Sequence, residues 1–514
     1  MKKKDALFQL IKSLSKSEKR FFKIYSMRHV IGSTNNYVVL FDALDKQLVY
    51  DEAALIRKFS DKRFVKRFAV AKSYLYELIL RSMNACHAQR STEAQLREWL
   101  GQTSFLYEKG LYEQAADVAS RAAKLAAERE KLPFLLALSD WQKKIIEAQF
   151  YTEHQEQDLK DLHIETRQAL EKLQNINDYW VLQAQLYYHH NQKGAVREPG
   201  DLDSIAEIFN ASLLRDEQSA LCFESKVLLY KIYSTYFFMV RDFTNCYNYG
   251  KKLVALLEKH PDQPASDALT YINAIHNLLN MTNLLGKEGE RTHYLAQLKR
   301  MTEDPDLNRS ESVRIKLFEA YYYHTMTLCL SQNRFEEGLH YVQEMERGMK
   351  IYNEHLDKMG YMMLCFYSFQ ICFGADKFDD AYRWLQGILK EENRPLRQDV
   401  FDFSKILSLL ALYETGNLSL LRKQFWVVYR FLYQKEKQYA FDTLALDFLR
   451  QSARALPSAM PDLFSVYCEH LSVLANDTFE RKVFAYFDFL KWSYAKSVGI
   501  SMGELMRRTV EVEV

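Results

Sequence analysis

The 514-residue chain contains few of the residues that interrupt regular helices, with 8 Pro and 16 Gly. Hydrophobic side chains make up 48% of the residues and aromatic ones 14%. Because Pro and Gly end helices and mark loops, their scarcity and this apolar content favour long helices over strands and loops. The composition therefore predicts an all-α protein with a large core.

Cysteine is also sparse, since the seven cysteines are scattered and form no CxxC pair. This odd number at irregular spacing argues against a disulfide framework and against a structural zinc site. No run of 18 apolar residues occurs, and the apolar stretch 6–11 between Asp5 and Lys12 is too short and too charged for a signal peptide. We therefore expect a cytoplasmic protein with buried thiols and no membrane segment.

Signatures of three common enzyme classes are missing: the sequence contains no GxGxxG, GxxxxGK[ST] or HExxH. The adjacent His189 and His190 would project about 100° apart on a helix, so they are poor joint metal ligands. We therefore expect no catalytic activity, no cofactor and no metal site.

A weak motif recurs about every 44 residues. Each copy has a polar turn, then an aromatic ring or Leu as an anchor, and often a small residue three positions later. The clear anchors are Tyr112, Phe243, Phe335, Phe378 and Leu418. Weaker anchors that fill the gaps are Leu159, Leu202, Arg291 and Leu463. A period of roughly 20–50 residues is typical of a solenoid, in which no single repeat buries its own apolar face.

The stretch Gly110-x-Tyr112-x-x-Ala115 resembles the turn and second helix of a tetratricopeptide repeat, and Phe378-x-x-Ala381 is similar. The period departs from that superfamily, being about 44 instead of 34 residues. The resemblance implies a right-handed α-solenoid of helix-turn-helix repeats with a concave binding face and no activity. The expected parts are a small basic helical domain at 1–90, a tetratricopeptide-like solenoid at 91–480, and C-terminal capping helices with a tail at 481–514.

Tyrosines cluster on the segments that the motif assigns to the first helix of each pair. In this superfamily the first helices line the concave face, so these tyrosines are candidates for a peptide groove, with a core between repeats as the alternative. The candidates are Tyr230, Tyr233, Tyr321, Tyr322, Tyr361 and Tyr367.

Charge is unevenly distributed along the chain. Residues 1–90 contain 19 Lys and Arg against 8 Asp and Glu, whereas residues 91–514 contain 50 against 59. A compositional boundary therefore falls near residue 90.

Basic residues of this first segment recur at helical spacing and predict two cationic helix faces. They are Lys16, Lys19, Arg20, Lys23, Arg57, Lys58, Lys62, Arg63, Lys66 and Arg67. Such faces can neutralise nucleic-acid phosphates, and the segment from Asp51 through Lys62 onward resembles a helix-turn-helix. The alternatives are a solvated surface, or docking on an acidic partner or on the acidic body of the same protein.

Two functions follow from these patterns. The first is a non-catalytic scaffold that binds a protein or peptide in the concave face of the solenoid. The second is a regulator, in which the basic N-terminal domain binds DNA or RNA and the solenoid senses a peptide or oligomerises.

Overall fold

The computed structural model describes residues 6–27, 35–87, 92–152, 156–193, 205–260, 268–352, 356–390, 397–433, 440–452, 455–477 and 480–512. All regular structure in these ranges is helical, and no strand occurs in them. The predicted all-α class is thus confirmed. The chain divides into two compact units, residues 1–174 and 175–514. The charge boundary near residue 90 lies inside the first of them.

The first unit is built from eight helices and the start of a ninth, and a 3-10 turn precedes the fifth. The α-helices are α1 Ala6–Ser13, α2 Lys16–Met27, α3 Asn36–Lys46, α4 Glu52–Lys58, α5 Phe68–His87, α6 Thr92–Glu108, α7 Tyr112–Glu128, α8 Leu132–Ala148 and α9 Glu156–Lys193.

The second unit begins within α9 and continues with helices that mostly come in pairs. They are α10 at 205–209, α11 Phe223–Met239, α12 Phe243–Glu258, α13 Ala268–Leu284, α14 Glu288–Glu303, α15 Glu311–Ser331, α16 Phe335–Tyr352, α17 Lys358–Gly374, α18 Phe378–Leu389, α19 Gln398–Glu414, α20 Leu418–Tyr433, α21 Ala440–Ser452, α22 Met460–Asn476, α23 Phe489–Ser497 and α24 Met502–Val512.

Capping side chains fix the starts of the N-terminal helices. The backbone N–H of Ser15 donates to Glu18 Oε2 at 2.8 Å, and the N–H of Glu18 donates to Ser15 Oγ at 3.3 Å, which completes a capping box. Asn35 accepts from the N–H of Tyr37, and Asp51 accepts from the N–H of Ala54. Each cap satisfies a backbone donor that the first helical turn leaves unpaired.

The long basic helix expected from Lys62 begins later in the structure. Residues Arg63–Arg67 form a 3-10 turn, and the α-helix α5 begins at Phe68. The ring of Phe68 is buried in the N-terminal core, so core packing fixes the start of the helix there. Lys62, Lys66 and Arg67 therefore lie before α5, and the side chain of Arg63 lies outside the described residues.

Backbone geometry marks the turn inside each helix pair. A residue with positive φ occurs at 241, 286, 333, 376 and 416, so the turns are separated by 40 to 47 residues. At Asn333 and Asp376 the next N–H donates to the carbonyl five residues earlier, at 2.8 Å in both turns. This is the Schellman arrangement, which ends a helix with one left-handed residue and satisfies its last carbonyls.

The five clear anchors of the motif are each the first residue of a helix, namely α7, α12, α16, α18 and α20. Among the weaker anchors, Arg291 lies one turn into α14, and Leu463 lies in the first turn of α22. Leu202 lies outside the described residues. Leu159 lies in the first turn of α9, which runs without interruption for 38 residues. The period of about 44 therefore describes residues 223–433 and does not continue through α9.

First and second helices of a pair are buried to different extents. In α19 the seven consecutive residues 406–412 are all buried, which requires packing on every side of the helix. In α20 the buried residues follow a single stripe, Leu421, Phe425, Val428 and Leu432. Each first helix packs on its own second helix and, from α13 to α19, on the next first helix. The first helices thus form an inner layer and the second helices an outer layer.

The C-terminal residues are helical as far as Val512, so the alternating Val510-Glu511-Val512 lies within α24 and not on a strand. Helix α24 packs on α17. None of the described helices is long and apolar enough to cross a bilayer.

A glycine pair tests the packing of α24. A Cβ added at Gly503 would lie 2.1 Å from the carbonyl oxygen of Gly374, whereas a Cβ at Gly101 would meet nothing within 4 Å. We expect Gly503→Ala to lower the free energy of unfolding by about 1–3 kcal/mol, because a backbone atom cannot yield locally. Gly101→Ala, in the middle of α6, should raise it by up to about 1 kcal/mol. Denaturant unfolding followed by circular dichroism measures both, and equal effects would contradict this packing.

Candidate binding site on the first helices

A strip of side chains, all partly exposed except the buried His324, runs along the inner-layer helices of the second unit. We call the residues that connect one first helix to the next the polar row. It comprises Lys231, Thr270, His276, Asn280, Tyr323, His324, Tyr367, Gln370, Arg397, Asp399 and Tyr486.

Histidines link α13 to α15 at the centre of the row. His276 Nδ1 and His324 Nε2 lie 3.0 Å apart, and His276 Nε2 lies 3.4 Å from Asn280 Nδ2. With the Asn280 amide as donor, His276 Nε2 accepts and its Nδ1–H donates to His324, so both rings are neutral. One turn away from this link, Lys231 of α11 donates to Thr270 of α13 at 3.3 Å.

Two tyrosines link α15 to α17. The hydroxyls of Tyr323 and Tyr367 lie 3.3 Å apart, and the rings meet edge to face at 4.9 Å. Tyr323 lies ten residues before the turn residue Asn333 and Tyr367 nine residues before Asp376, so they occupy nearly equivalent places in successive helix pairs. The ring of Tyr323 also lies 5.0 Å from that of His276. The aromatic contacts therefore join three successive first helices.

An ion pair closes the row at the start of α19. Arg397 Nη2 lies 2.6 Å from Asp399 Oδ2, and the Tyr486 hydroxyl donates to the same carboxylate. The carbonyl of Tyr486 in turn accepts a hydrogen bond from Gln370 Nε2 of α17 at 3.1 Å. Burial raises the pKa of Asp399, but the hydrogen bonds and charge of Arg397 outweigh it and hold that pKa below its ordinary value. At this end of the row the charge of Arg397 is therefore neutralised by that of Asp399.

The row combines solvent contact with strong desolvation. His276, Tyr323 and Tyr367 each keep partial exposure. Even so, desolvation lowers the pKa of His276 to about 4 and raises the pKa values of both tyrosines above their ordinary value. These side chains are therefore partly exposed to water and closely surrounded by protein atoms.

Asparagine is concentrated on α13 beside the row. Asn273 and Asn277 are exposed and Asn280 is partly exposed, at positions i, i+4 and i+7 on one face. The amides of Asn273 and Asn277 have no hydrogen-bond partner within the described part of the chain. Asn disfavours the interior of a helix by roughly 0.5 kcal/mol relative to Ala, so fold stability does not explain this run.

The tyrosines predicted from sequence are spread over different environments. Tyr367 belongs to the polar row. Tyr233 is a core residue with 6% exposure, and its hydroxyl donates to the Leu214 carbonyl at 2.6 Å. The hydroxyl of Tyr230 donates to Glu217 Oε2 at 2.9 Å.

The remaining predicted tyrosines face the outer layer. Tyr322 packs on Phe318, and charges of α16 act on its pKa, which burial raises to about 12. Tyr321 packs against the ring of Tyr322. The hydroxyl of Tyr361 lies against Gly387 of α18. The structure therefore does not gather these three with Tyr367.

Tyr323, the histidines and the asparagines were absent from the sequence-based site. The repeat does not select Tyr323 from three consecutive tyrosines, because the turns at Asn333 and Asp376 are 43 residues apart and Tyr323 and Tyr367 are 44 apart. Residues of the row that come from outside the repeat, such as Tyr486, carry no repeat signal.

The predicted basic residues of the N-terminal helices fall into two groups. Lys19 pairs with Asp45 at 2.7 Å and Lys23 pairs with Asp42 at 2.6 Å, so α3 neutralises half of the α2 stripe. Lys62 lies 3.7 Å from Asp61. The others are exposed and make no ion pair within the described ranges: Lys16, Arg20, Arg57, Lys58, Lys66 and Arg67.

Within the described residues, no group of His, Cys, Asp and Glu is arranged to hold a metal ion. Burial raises the pKa of the thiols of Cys246, Cys365 and Cys372 to about 12, so these cysteines are protonated and poorly nucleophilic. Comparisons with protein-family models, with curated proteins and with solved structures found no match.

The histidine link predicts an acid-sensitive fold. Both imidazoles have lowered pKa values in the folded state, so below pH 6.5 the unfolded chain binds more protons. Stability should be complete above about pH 6.5 and fall as the pH decreases toward 4, by about 3 kcal/mol for His276 alone. Urea unfolding across this range measures the slope. The variant His276→Asn should flatten it, whereas His293→Gln, at an exposed histidine of α14, should leave it unchanged. An unaltered slope in His276→Asn would refute the assignment.

Proposed function

We propose that this protein is a non-catalytic binding scaffold, and that its first helices hold an extended segment of a partner protein or peptide along the polar row. The observation that carries the proposal is the polar row itself. Its side chains are both accessible and desolvated, and they connect first helices from α11 to α19. A ligand bound there would touch several repeats at once.

The helix arrangement supports a right-handed α-solenoid for residues 223–433. The turns recur at 40 to 47 residues, and first helices from α13 to α19 pack on the next first helix. Repeats that contact only their neighbours generate a superhelix with an inner face along which ligands bind. Longer helices than those of a 34-residue repeat account for the longer period.

The chemistry of the polar row and of the neighbouring asparagines suits a peptide main chain. Each free Asn amide offers one acceptor and two donors, which match the N–H and C=O groups of an extended backbone. Asn273 and Asn277 are one turn apart, about 6 Å along the helix axis, close to the two-residue repeat of an extended chain. Tyr323 and Tyr367 add rigid apolar surface with polar tips.

Removing these groups should weaken partner capture. We expect the variant Asn273→Ala/Asn277→Ala/Tyr323→Phe to retain at most about one tenth of the partner that the wild-type chain retains, because each lost pairing leaves a polar main-chain group unsatisfied at about 1 kcal/mol or more. The measurement is affinity isolation of the full chain from its own cell lysate, with and without nuclease, followed by quantitative mass spectrometry.

The matched control is Asn248→Ala, at an exposed asparagine of the second helix α12. It should leave capture unchanged. Equal recovery with the triple variant and the wild type would contradict binding at the polar row, and recovery that depends on nucleic acid would favour the second candidate.

The second candidate function is nucleic-acid binding by the N-terminal helices. Six exposed cations without an ion pair on α2, α4 and the 3-10 turn before α5 favour it. The residues that would contact phosphates are Lys16, Arg20, Arg57, Lys58, Lys66 and Arg67. Under this proposal the first unit binds DNA or RNA and the second unit supplies sensing or oligomerisation.

Charge reversal tests this candidate. The variant Lys62→Glu/Arg63→Glu/Lys66→Glu/Arg67→Glu should abolish binding of a 20-base-pair DNA duplex and of a matched RNA, measured by fluorescence anisotropy. Wild-type affinity should fall linearly with the logarithm of salt concentration, with a slope of about −0.9 per neutralised phosphate for DNA. The control Lys19→Glu/Lys23→Glu alters cations that are already paired, so it should weaken binding less. Unchanged binding in the quadruple variant would exclude the assignment.

A further inference from the structure

The outer face of α20 carries exposed rings and cations together. Trp426 is 56% exposed, Val427 57% and Tyr433 67%, although α20 also buries a complete apolar stripe on α19. Trp426 lies one turn after Arg422 and Lys423 and one turn before Arg430. We call these six residues the α20 outer face. Because α20 already buries its apolar stripe against α19, its packing does not require an exposed Trp between three cations.

The rings on this face are held in place by each other. Trp426 lies 5.8 Å from Tyr429 with their planes near perpendicular, and Tyr429 stacks on Tyr433 at 5.9 Å. Tyr429 also stacks on the buried ring of Phe425. Rings fixed in this way lose little side-chain entropy when a partner binds, which is the property that makes Trp and Tyr prominent in interface hot spots.

The charges on this face are uncompensated. Residues 418–433 contain no Asp or Glu, and Arg422, Lys423 and Arg430 make no ion pair within the described residues. The unit to which α20 belongs has the opposite sign overall, since residues 175–514 contain 39 Lys and Arg against 44 Asp and Glu. The α20 outer face is therefore a local cationic patch on an acidic body.

The exposed rings and the unpaired cations together indicate which kind of partner binds this face. Three cations are few for a polyanion such as nucleic acid, whose affinity depends on the number of phosphates that the protein neutralises. A short acidic segment would pair with these cations. An apolar side chain in the same segment would cover Trp426 and Val427, as in an interface with an apolar centre and a charged rim.

We propose that the α20 outer face docks an acidic segment of a partner protein, one in which carboxylates flank an apolar or aromatic side chain. The apolar side chain packs on Trp426, and the carboxylates pair with Arg422, Lys423 and Arg430. This surface belongs to the outer layer, so its occupancy is independent of the polar row on the first helices.

The test places a photoreactive benzoylphenylalanine at position 426 of the full-length chain, expressed in its own cells. Mass spectrometry then identifies the cross-linked segment and its sequence. We expect a segment with net negative charge and at least one apolar residue. The same photoreactive group at Trp180, which is exposed on α9, is the control for adventitious contact. Cross-links at 426 to nucleic acid or to neutral or basic segments, or no cross-link, would overturn the proposal.

Affinity measurements with the synthetic form of the identified segment complete the test. Trp426→Ala should weaken its binding about tenfold or more, as expected for a hot-spot Trp, whereas Trp180→Ala should not change it. Arg422→Glu/Lys423→Glu/Arg430→Glu should abolish binding, and Lys299→Glu/Arg314→Glu, at exposed cations elsewhere in the unit, should preserve it. Circular dichroism confirms that each variant is folded. Wild-type affinity for both α20 variants would refute the docking surface.

Discussion

The packing of each first helix on the next is the constraint on which the second unit depends. A helix such as α19, with seven consecutive buried residues, is stable only when neighbours cover all of its sides. One neighbour is its own second helix, and the others come from adjacent pairs. The burial of apolar surface between neighbouring pairs therefore stabilises these first helices.

This constraint also produces the polar row. Where successive first helices meet at their accessible edge, a fully apolar contact would expose rings to water, and an unpaired polar contact would lose a hydrogen bond. The structure instead pairs polar groups with each other, His276 with His324 and Tyr323 with Tyr367. These pairs fix the spacing of the first helices. The polar surface beside them carries the exposed asparagines of α13.

The two candidate binding surfaces, the polar row and the α20 outer face, differ in their chemistry. The first-helix surface is partly exposed, desolvated and rich in amide and hydroxyl groups, which suits the main chain of an extended ligand. The α20 outer face is exposed, cationic and aromatic, which suits an acidic protein segment. A chain that binds one partner along its inner layer and another on its outer layer would bring the two together without catalysis.

The sequence by itself determined the helical class, the capping residues Ser15, Asn35 and Asp51, and the anchors that begin the second helices. These features depend on neighbours close in sequence, so local patterns contain them.

The tertiary structure decided which tyrosine of the run Tyr321–Tyr323 lines the row. The rotation of a helix about its axis is set by the helices packed around it, and the sequence of that helix does not contain this information. It also decided that Lys19 and Lys23 are neutralised, because Asp45 and Asp42 come from another helix. Finally, it decided that α9 is a single helix of 38 residues, since no local signal there separates a repeat from a continuous helix.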